Sequence, residues 1–382
     1  PVEPPKAMQQ PLEGGPFPGI LLTQAWFWTD EYNKPKPGPA RLEIWRQGPD
    51  GWMMTRVEDS ESNVFHKALS YQGGILTIGA EGALMKKWSF SEGTWKGDLL
   101  WKQSWGGKFN RLRDIEVGDV DHDGEDELVL ATHDSGVVAV YQSKDNITEL
   151  DKKADTFVHE IEIGDIDGDG KKEFFATPSD RNTAKKSQGG SVVMYRFDGE
   201  KYQRTVVETM EKTHAKEILV TDTDGDGTDE LYVVKEAVQA SGGIIITPVQ
   251  IWQYMPKDDG SFAKKLIHTI KDSQTRFLIS ADLNHDGKKD LVVASMKAGL
   301  WLLERSADSK WTPSLIDKNS SGFEHSIYAA DLDGDGKKEL YVAADNQGEL
   351  NRYLWDGNVF QKDTIGKIPK NTITWNITAG SF

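Results

Sequence analysis

The chain has 382 residues, no cysteine, 37% hydrophobic residues and a formal net charge of −16. That length suits two or three ordinary domains or one large repeat architecture. The missing cysteines exclude a disulfide scaffold and a thiolate zinc site. No run of 18 apolar residues occurs, so no helical membrane span is expected, and the acidity argues against nucleic acid as a partner.

Residues 1–19 (PVEPPKAMQQPLEGGPFPG) are rich in Pro and Gly and read as an extended leader or tether. They lack the basic and apolar regions of an intact signal peptide. They suit the start of a mature chain after signal removal; a trimmed start is the alternative. Residues 20–382 read as one domain. Strand-like segments follow at Ile20 to Trp28, Ala40 to Arg46 and Trp52 to Glu58. The connector 29–39 (TDEYNKPKPGP) is expected to be loop, because its prolines lack the amide donor and fix φ.

A repeat then sets in. Each unit reads as an apolar strand, an acidic turn, a second strand, a third strand ending in Trp or Tyr, and a polar fourth strand. The acidic turns begin at Asp119, Asp165, Asp222, Asp282 and Asp331. Third strands carry Tyr141, Tyr195, Trp252, Trp301 and Tyr353 in comparable places. In each turn oxygen side chains stand at positions 1, 3, 5 and 9. Alternating acids in a tight loop can point at one centre, and a hard cation such as Ca²⁺ takes six to eight oxygens. Glycines supply the positive φ that such a turn needs.

Residues 66–103 fit the template without a metal loop. Units start near 64, 112, 158, 214, 275 and 324. Residues 373–382 form a lone first strand, and residues 20–58 supply a second, third and fourth. Joining 20–58 with 371–382 makes a seventh blade. Four short strands per unit at this period predict an all-β, seven-bladed β-propeller closed by pairing its terminal strands.

The pattern Gly-Asp-x-Asp-x-Asp-Gly-x-x-Glu, met at Gly118 to Glu127 and Gly164 to Glu173, resembles the FG-GAP/VCBS repeat family of calcium-binding propellers, which includes the integrin α-subunit head and several lectins. Thr221, Ala281 and Ala330 replace the leading Gly in the other copies. The likeness implies up to five Ca²⁺. Its ligands would be Asp119, Asp121, Asp123 and Glu127; Asp165, Asp167, Asp169 and Glu173; Asp222, Asp224, Asp226 and Glu230; Asp282, Asn284, Asp286 and Asp290; and Asp331, Asp333, Asp335 and Glu339. Asn284 lowers the ligand charge, so the fourth site is expected to be the weakest. In the family such sites stiffen the turn, and a structural role is expected here. Setting these 19 acids aside from the 61 leaves 42 against 45 Lys and Arg. The acidity therefore belongs to the loops.

Six residues before the first acid of each loop stand Arg113, His159, Lys216, Arg276 and His325; His66 takes that place in the metal-free unit. In a propeller these positions begin the innermost strands at one mouth of the channel. Three readings are open: polar residues satisfying loop carbonyls, an anion or acidic-glycan site, and a transition-metal site at the histidines. Longer connectors at 29–39, 178–190 and 235–243 offer Tyr32, Arg181, Lys185 and Lys186 as rim contacts. Trp45, Trp88, Trp252 and Trp301 suit packing between blades. Trp26, Trp28, Trp95, Trp101, Trp105 and Trp375 are better placed to stack on a sugar. Sequons at Asn146, Asn319 and Asn376 are near chance frequency. No nucleophile elbow, phosphate-binding loop or zinc-protease motif occurs. The expectation is an extracellular, periplasmic or surface binding module for a protein or a glycan, possibly tethered by its leader. The alternative is a polysaccharide lyase using His66, His159 or His325.

Overall fold

The computed structural model describes residues 18–107, 110–181, 187–257, 259–306 and 309–381, so nearly all of the leader, with Lys185 and Lys186, lies outside them. Every regular element among the described residues is a β-strand, and no helix there could cross a membrane. The fold is the seven-bladed β-propeller of four-stranded blades that the repeat predicts.

Blade 1 takes its inner strand from the C-terminus, Thr372–Ser381, then Pro18–Thr29, Ala40–Gly48 and Gly51–Asp59. Blade 2 is Phe65–Tyr71, Gly74–Gly79, Ala83–Ser91 and Thr94–Gln103. Blade 3 is Leu112–Gly118, Glu127–Thr132, Val138–Ser143 and Asn146–Asp151. Blade 4 is Thr156–Gly164, Glu173–Asp180, Gly190–Phe197 and Tyr202–Met210. Blade 5 is Ala215–Thr221, Glu230–Lys235, Val249–Pro256 and Phe262–Ile270, with an extra hairpin of Val238–Ala240 and Ile244–Thr247. Blade 6 is Thr275–Ala281, Asp290–Ser295, Leu300–Arg305 and Trp311–Asp317, and blade 7 is Ile327–Ala330, Glu339–Ala344, Glu349–Trp355 and Phe360–Lys367.

Two compact units divide the chain. The first holds residues up to Ser104, Ala281–Gly287 and Ile316 onward; the second holds Trp105–Ser280 and Lys288–Leu315. In the first unit the strand Pro18–Thr29 is apolar at successive positions because both of its faces are covered. Ile20 and Leu22 pack with Trp45, Tyr341 and Leu350, whereas Leu21 packs with Ile44, Phe65 and Trp88. The second unit repeats the scheme, with Val129, Val138 and Ile161 in one layer and Ile218, Leu231 and Val233 in another.

Two sequence expectations are corrected. The connector 29–39 contains a strand after all: Pro35–Pro37 pairs with Phe27–Thr29. It is a free edge, where a missing amide donor is tolerated. The third-strand aromatics also shift register. Tyr141, Tyr195 and Tyr353 pair with Leu128, Phe174 and Leu340, and the residues equivalent to them are Tyr254 and Leu303, not Trp252 and Trp301. The tyrosines latch neighbouring blades. Tyr195 donates to Asp151 at 2.6 Å, Tyr353 to Asp317 at 2.8 Å, and Tyr254 to Glu208. Burial, helped by these carboxylates, pushes all three phenols above the usual tyrosine range. The native phenols hold their protons more tightly than the unfolded chain does. Their contribution is therefore complete below about pH 10 and is lost as pH rises above it. A urea midpoint that falls from pH 10 upward, and falls less in Tyr195→Phe, is the expected result.

The inner strands share a second device. A β-bulge interrupts the pairing at Trp375 in blade 1, His66 in blade 2, Arg113 in blade 3, His159 and Glu160 in blade 4, and Lys216 in blade 5. A bulge re-aims a side chain and leaves an amide without its ladder partner. In blade 4 the preceding blade supplies the missing acceptor: the Ile161 amide donates to Asp114 Oδ2 at 2.7 Å. A like bond runs from the Leu278 amide to Glu217 Oε1 at 3.0 Å. Asp114→Ala would orphan a buried amide at a cost of about 1–3 kcal/mol, whereas Asp114→Asn keeps an acceptor. Chemical denaturation of the two variants should separate them in that order.

Candidate functional site

The five acidic turns close on themselves in one repeated way. The amide of the position-6 glycine donates to the position-1 aspartate in every copy: Gly124 to Asp119, Gly170 to Asp165, Gly227 to Asp222, Gly287 to Asp282 and Gly336 to Asp331, at 2.8–3.1 Å. Those glycines have φ of 81–94°, where a side chain would be strained. One Oε of the position-9 glutamate accepts the position-2 amide: Val120 to Glu127, Ile166 to Glu173, Thr223 to Glu230 and Leu332 to Glu339. The leading Gly164 answers to packing instead. A Cβ there would fall 2.3 Å from Val220 Cγ1 and 2.6 Å from Asp229 Oδ2 of the next blade.

Four of the turns bring oxygens together closely enough to hold a metal ion. Asp331, Asp333, Asp335 and Glu339 each offer an oxygen, all within 4.8 Å of one another; so do Asp119, Asp121 and Glu127; Asp165, Asp167 and Glu173; and Asp222, Asp224 and Asp226. The donor set fits a hard cation on two further counts. Asp119 Oδ1 is buried with no hydrogen-bond partner among the described residues. Burial pushes the carboxyls of Glu127 and Glu339 above the usual range, and the charges of Asp121 and Asp123, or of Asp333, push them further. At the fourth turn the Asp286 amide donates to Asp282 and Asn284, as the Asp169 amide does to Asp165 and Asp167 in the second.

Two loops contain their own cation. Arg196 donates to Asp167 Oδ2 at 2.5 Å and to Glu173 Oε1 at 2.8 Å, and Arg305 donates to Asp224 Oδ2 at 2.8 Å. In the first loop the equivalent partner is neutral, with Gln142 Nε2 donating to Asp121 Oδ2 at 2.7 Å. A cleft of ≈ 370 Å³ lies between the first and second loops, lined by Asp121, His122, Asp169, Glu173, Arg196 and Phe197.

The residues at the other end of the inner strands are mostly buried. In the second unit His159, Lys216 and Arg276 are buried and Arg113 is half-buried. His159 Nε2 shares a hydrogen bond with Ser179 Oγ at 2.9 Å, and its ring lies 5.3 Å from that of His214, a residue the sequence pattern did not flag. Burial drives the pKa of His133, His159 and His214 well below the usual histidine range, and the charges of Arg113, Lys216 and Arg276 add to it. These histidines are neutral at pH 7, so the positive field expected here comes from Arg and Lys alone. Carboxylates share the same strands and turns: Asp114, Asp134, Glu217 and Glu236 are all buried.

In the first unit His66 and His325 are buried, and His325 Nε2 shares a hydrogen bond with Ser320 Oγ at 2.8 Å. The His66 ring packs 4.5 Å from the indole of Trp375, which has Phe323 at 6.2 Å on another side. Trp375 is thus the bulged residue of the seventh inner strand. It falls outside the pattern of basic strand starts because its side chain is an indole. Of the other tryptophans, Trp28 is 48% exposed, Trp95 packs on Phe90, and Trp105 donates to Glu149. Trp26 lies against Gly38 under the Arg41 guanidinium. Trp45 and Trp88 are buried. Tyr32 is 73% exposed, and Arg181 is tied to Asp155 at 3.0 Å.

Residues 282–342 match the FG-GAP-like repeat family. No curated protein sequence matches the chain. Among solved structures, the chain is similar to a lectin from Agrocybe aegerita that recognises non-reducing terminal N-acetylglucosamine, at 14% identity and a TM-score of 0.56, over 98% of this chain and 96% of that one. It is similar to a putative 6-phosphogluconolactonase from Bacteroides fragilis at 14% identity and 0.56, over 94% and 98% of the two chains. Its likeness to another from Bacteroides uniformis is 10% identity and 0.58, over 96% and 99%. At such identities the likeness shows the fold alone.

Proposed function

Since this chain is a seven-bladed β-propeller of the FG-GAP/VCBS type, we propose that it is a non-catalytic binding module for a glycan, with Ca²⁺ in its acidic loops as structural cofactor. The observation that carries the binding role is the bulge repeated at the same place in five inner strands, which re-aims His, Arg, Lys or Trp. Five blades keeping one irregularity is hard to explain by packing alone. The all-oxygen donor set suits Ca²⁺ better than a transition metal. The turns lie a strand's length, about 20 Å, from the bulges, which supports a structural role for the ion.

A binding role stands ahead of β-elimination because a lyase needs a base that reaches its substrate. His159 and His325 are each buried and already bonded to a serine. Absent cysteine and loops suited to millimolar calcium support a place outside the cytoplasm. A glycan array probed with the intact chain in 2 mM Ca²⁺ tests the reading. Binding to a defined glycan class is expected. A blank array, together with a protein captured from the native membrane fraction, would transfer the role to a protein partner. New unsaturated-product absorbance on uronic-acid polymers would replace it with lyase activity.

A further inference from the structure

We infer that Trp375 and Phe323 form the stacking floor of a subsite for a neutral pyranose, with Asp345 beside it to read hydroxyl groups. This rests on the glycan reading and says where in the first unit the sugar sits. Phe323 is 41% exposed and so presents its ring to solvent. Its ring stands nearly perpendicular to Trp375, with centroids 6.2 Å apart, and His66 backs the indole at 4.5 Å. A rigid aromatic corner of this kind presents flat apolar area to the C–H face of a sugar at little entropic cost.

The polar groups beside the corner decide the class of guest. Thr374, next to Trp375, donates its amide and its hydroxyl to Asp345 at 2.7 and 2.9 Å. Burial, opposed by those bonds and aided by the charge of Glu324, lifts the Asp345 carboxyl to about 7. Near neutrality it is therefore both donor and acceptor. A polar group at the edge of an aromatic surface is the usual make-up of a small-ligand site. The carboxyls of Asp345 and Glu324 would repel a uronate or a sulfate, so the guest is neutral or N-acetylated rather than acidic.

The test uses the full chain with methyl glycosides of glucose, galactose, mannose, N-acetylglucosamine and glucuronic acid, by calorimetry and saturation-transfer NMR. One neutral glycoside is expected to bind. Trp375→Ala should weaken it at least tenfold and Phe323→Ala about fivefold, Trp375→Phe should recover most of the loss, and melting temperatures should stay within a few degrees. A glycoside bound equally well by both alanine variants would overturn the subsite and leave the glycan reading standing. Preference for the glucuronide would overturn the choice of a neutral guest. No binding of any glycoside, with a blank array, would overturn both.

Discussion

Stripping divalent ions from this protein is expected to lower its melting temperature by about 14 °C. Four loops each gather three or four carboxylates within 4.8 Å. Without a cation those charges repel, and Asp119 Oδ1 is left buried without a partner. An ion that binds only the folded chain stabilises it by about 2.7 kcal/mol per site at a hundred times its dissociation constant. Four such sites give about 11 kcal/mol, and an unfolding entropy of roughly 0.8 kcal/mol/K for a chain this long converts that to about 14 °C. Scanning calorimetry in 2 mM CaCl₂ against excess chelator measures it. Arg196 and Arg305 make the loss uneven, since each already neutralises part of its loop. Asp331→Ala, in the loop with four converging acids, should therefore cost more than Asp167→Ala. An unchanged melt in metal-free protein would mean that the loops hold themselves together.

Removing residues 372–382 is expected to abolish cooperative folding. The strand Thr372–Ser381 pairs with Pro18–Trp26 along its whole length and buries Thr372, Thr374 and Ile377. Without it the strand from Ile20 to Ala25, buried at every position, becomes an open apolar edge, which is a template for aggregation. Net stabilities of about 5–15 kcal/mol leave no room for the loss of an entire central pairing. The truncated chain should be insoluble or lack a sigmoidal urea transition, and a synthetic 371–382 peptide added in trans should restore one. A truncated chain that melts as the full chain does would show that the terminal strand is dispensable.

What could be read from the sequence was whatever local chemistry enforces. Asp-x-Asp-x-Asp-Gly demands a particular turn whatever surrounds it. The count of strands between turns then implied blades, and the unpaired ends at 20–58 and 373–382 implied each other. Features set by neighbours stayed hidden. Pro35–Pro37 looked like a breaker because its edge position is a tertiary fact. Trp252 matches Tyr195 by being aromatic, yet the register puts Tyr254 in that place, with its hydroxyl on Glu208. The basic strand starts were found by counting back from the loops, but their burial was not foreseeable. Neither were the intervening carboxylates Asp114 and Glu217, which accept the Ile161 and Leu278 amides of the following blades. That the Trp375 and Phe323 rings meet is a tertiary fact that no local pattern encodes.

The central claim is that one divalent ion pins the same corner of successive blades. Crystals grown in 5 mM CaCl₂ and measured at a wavelength with appreciable calcium anomalous scattering test it most directly. Anomalous peaks are expected inside the turns beginning at Asp119, Asp165, Asp222 and Asp331, with the Arg196 and Arg305 guanidinium groups at their rims. Turns with no anomalous density, and those two guanidinium groups lying where the ions should be, would contradict it.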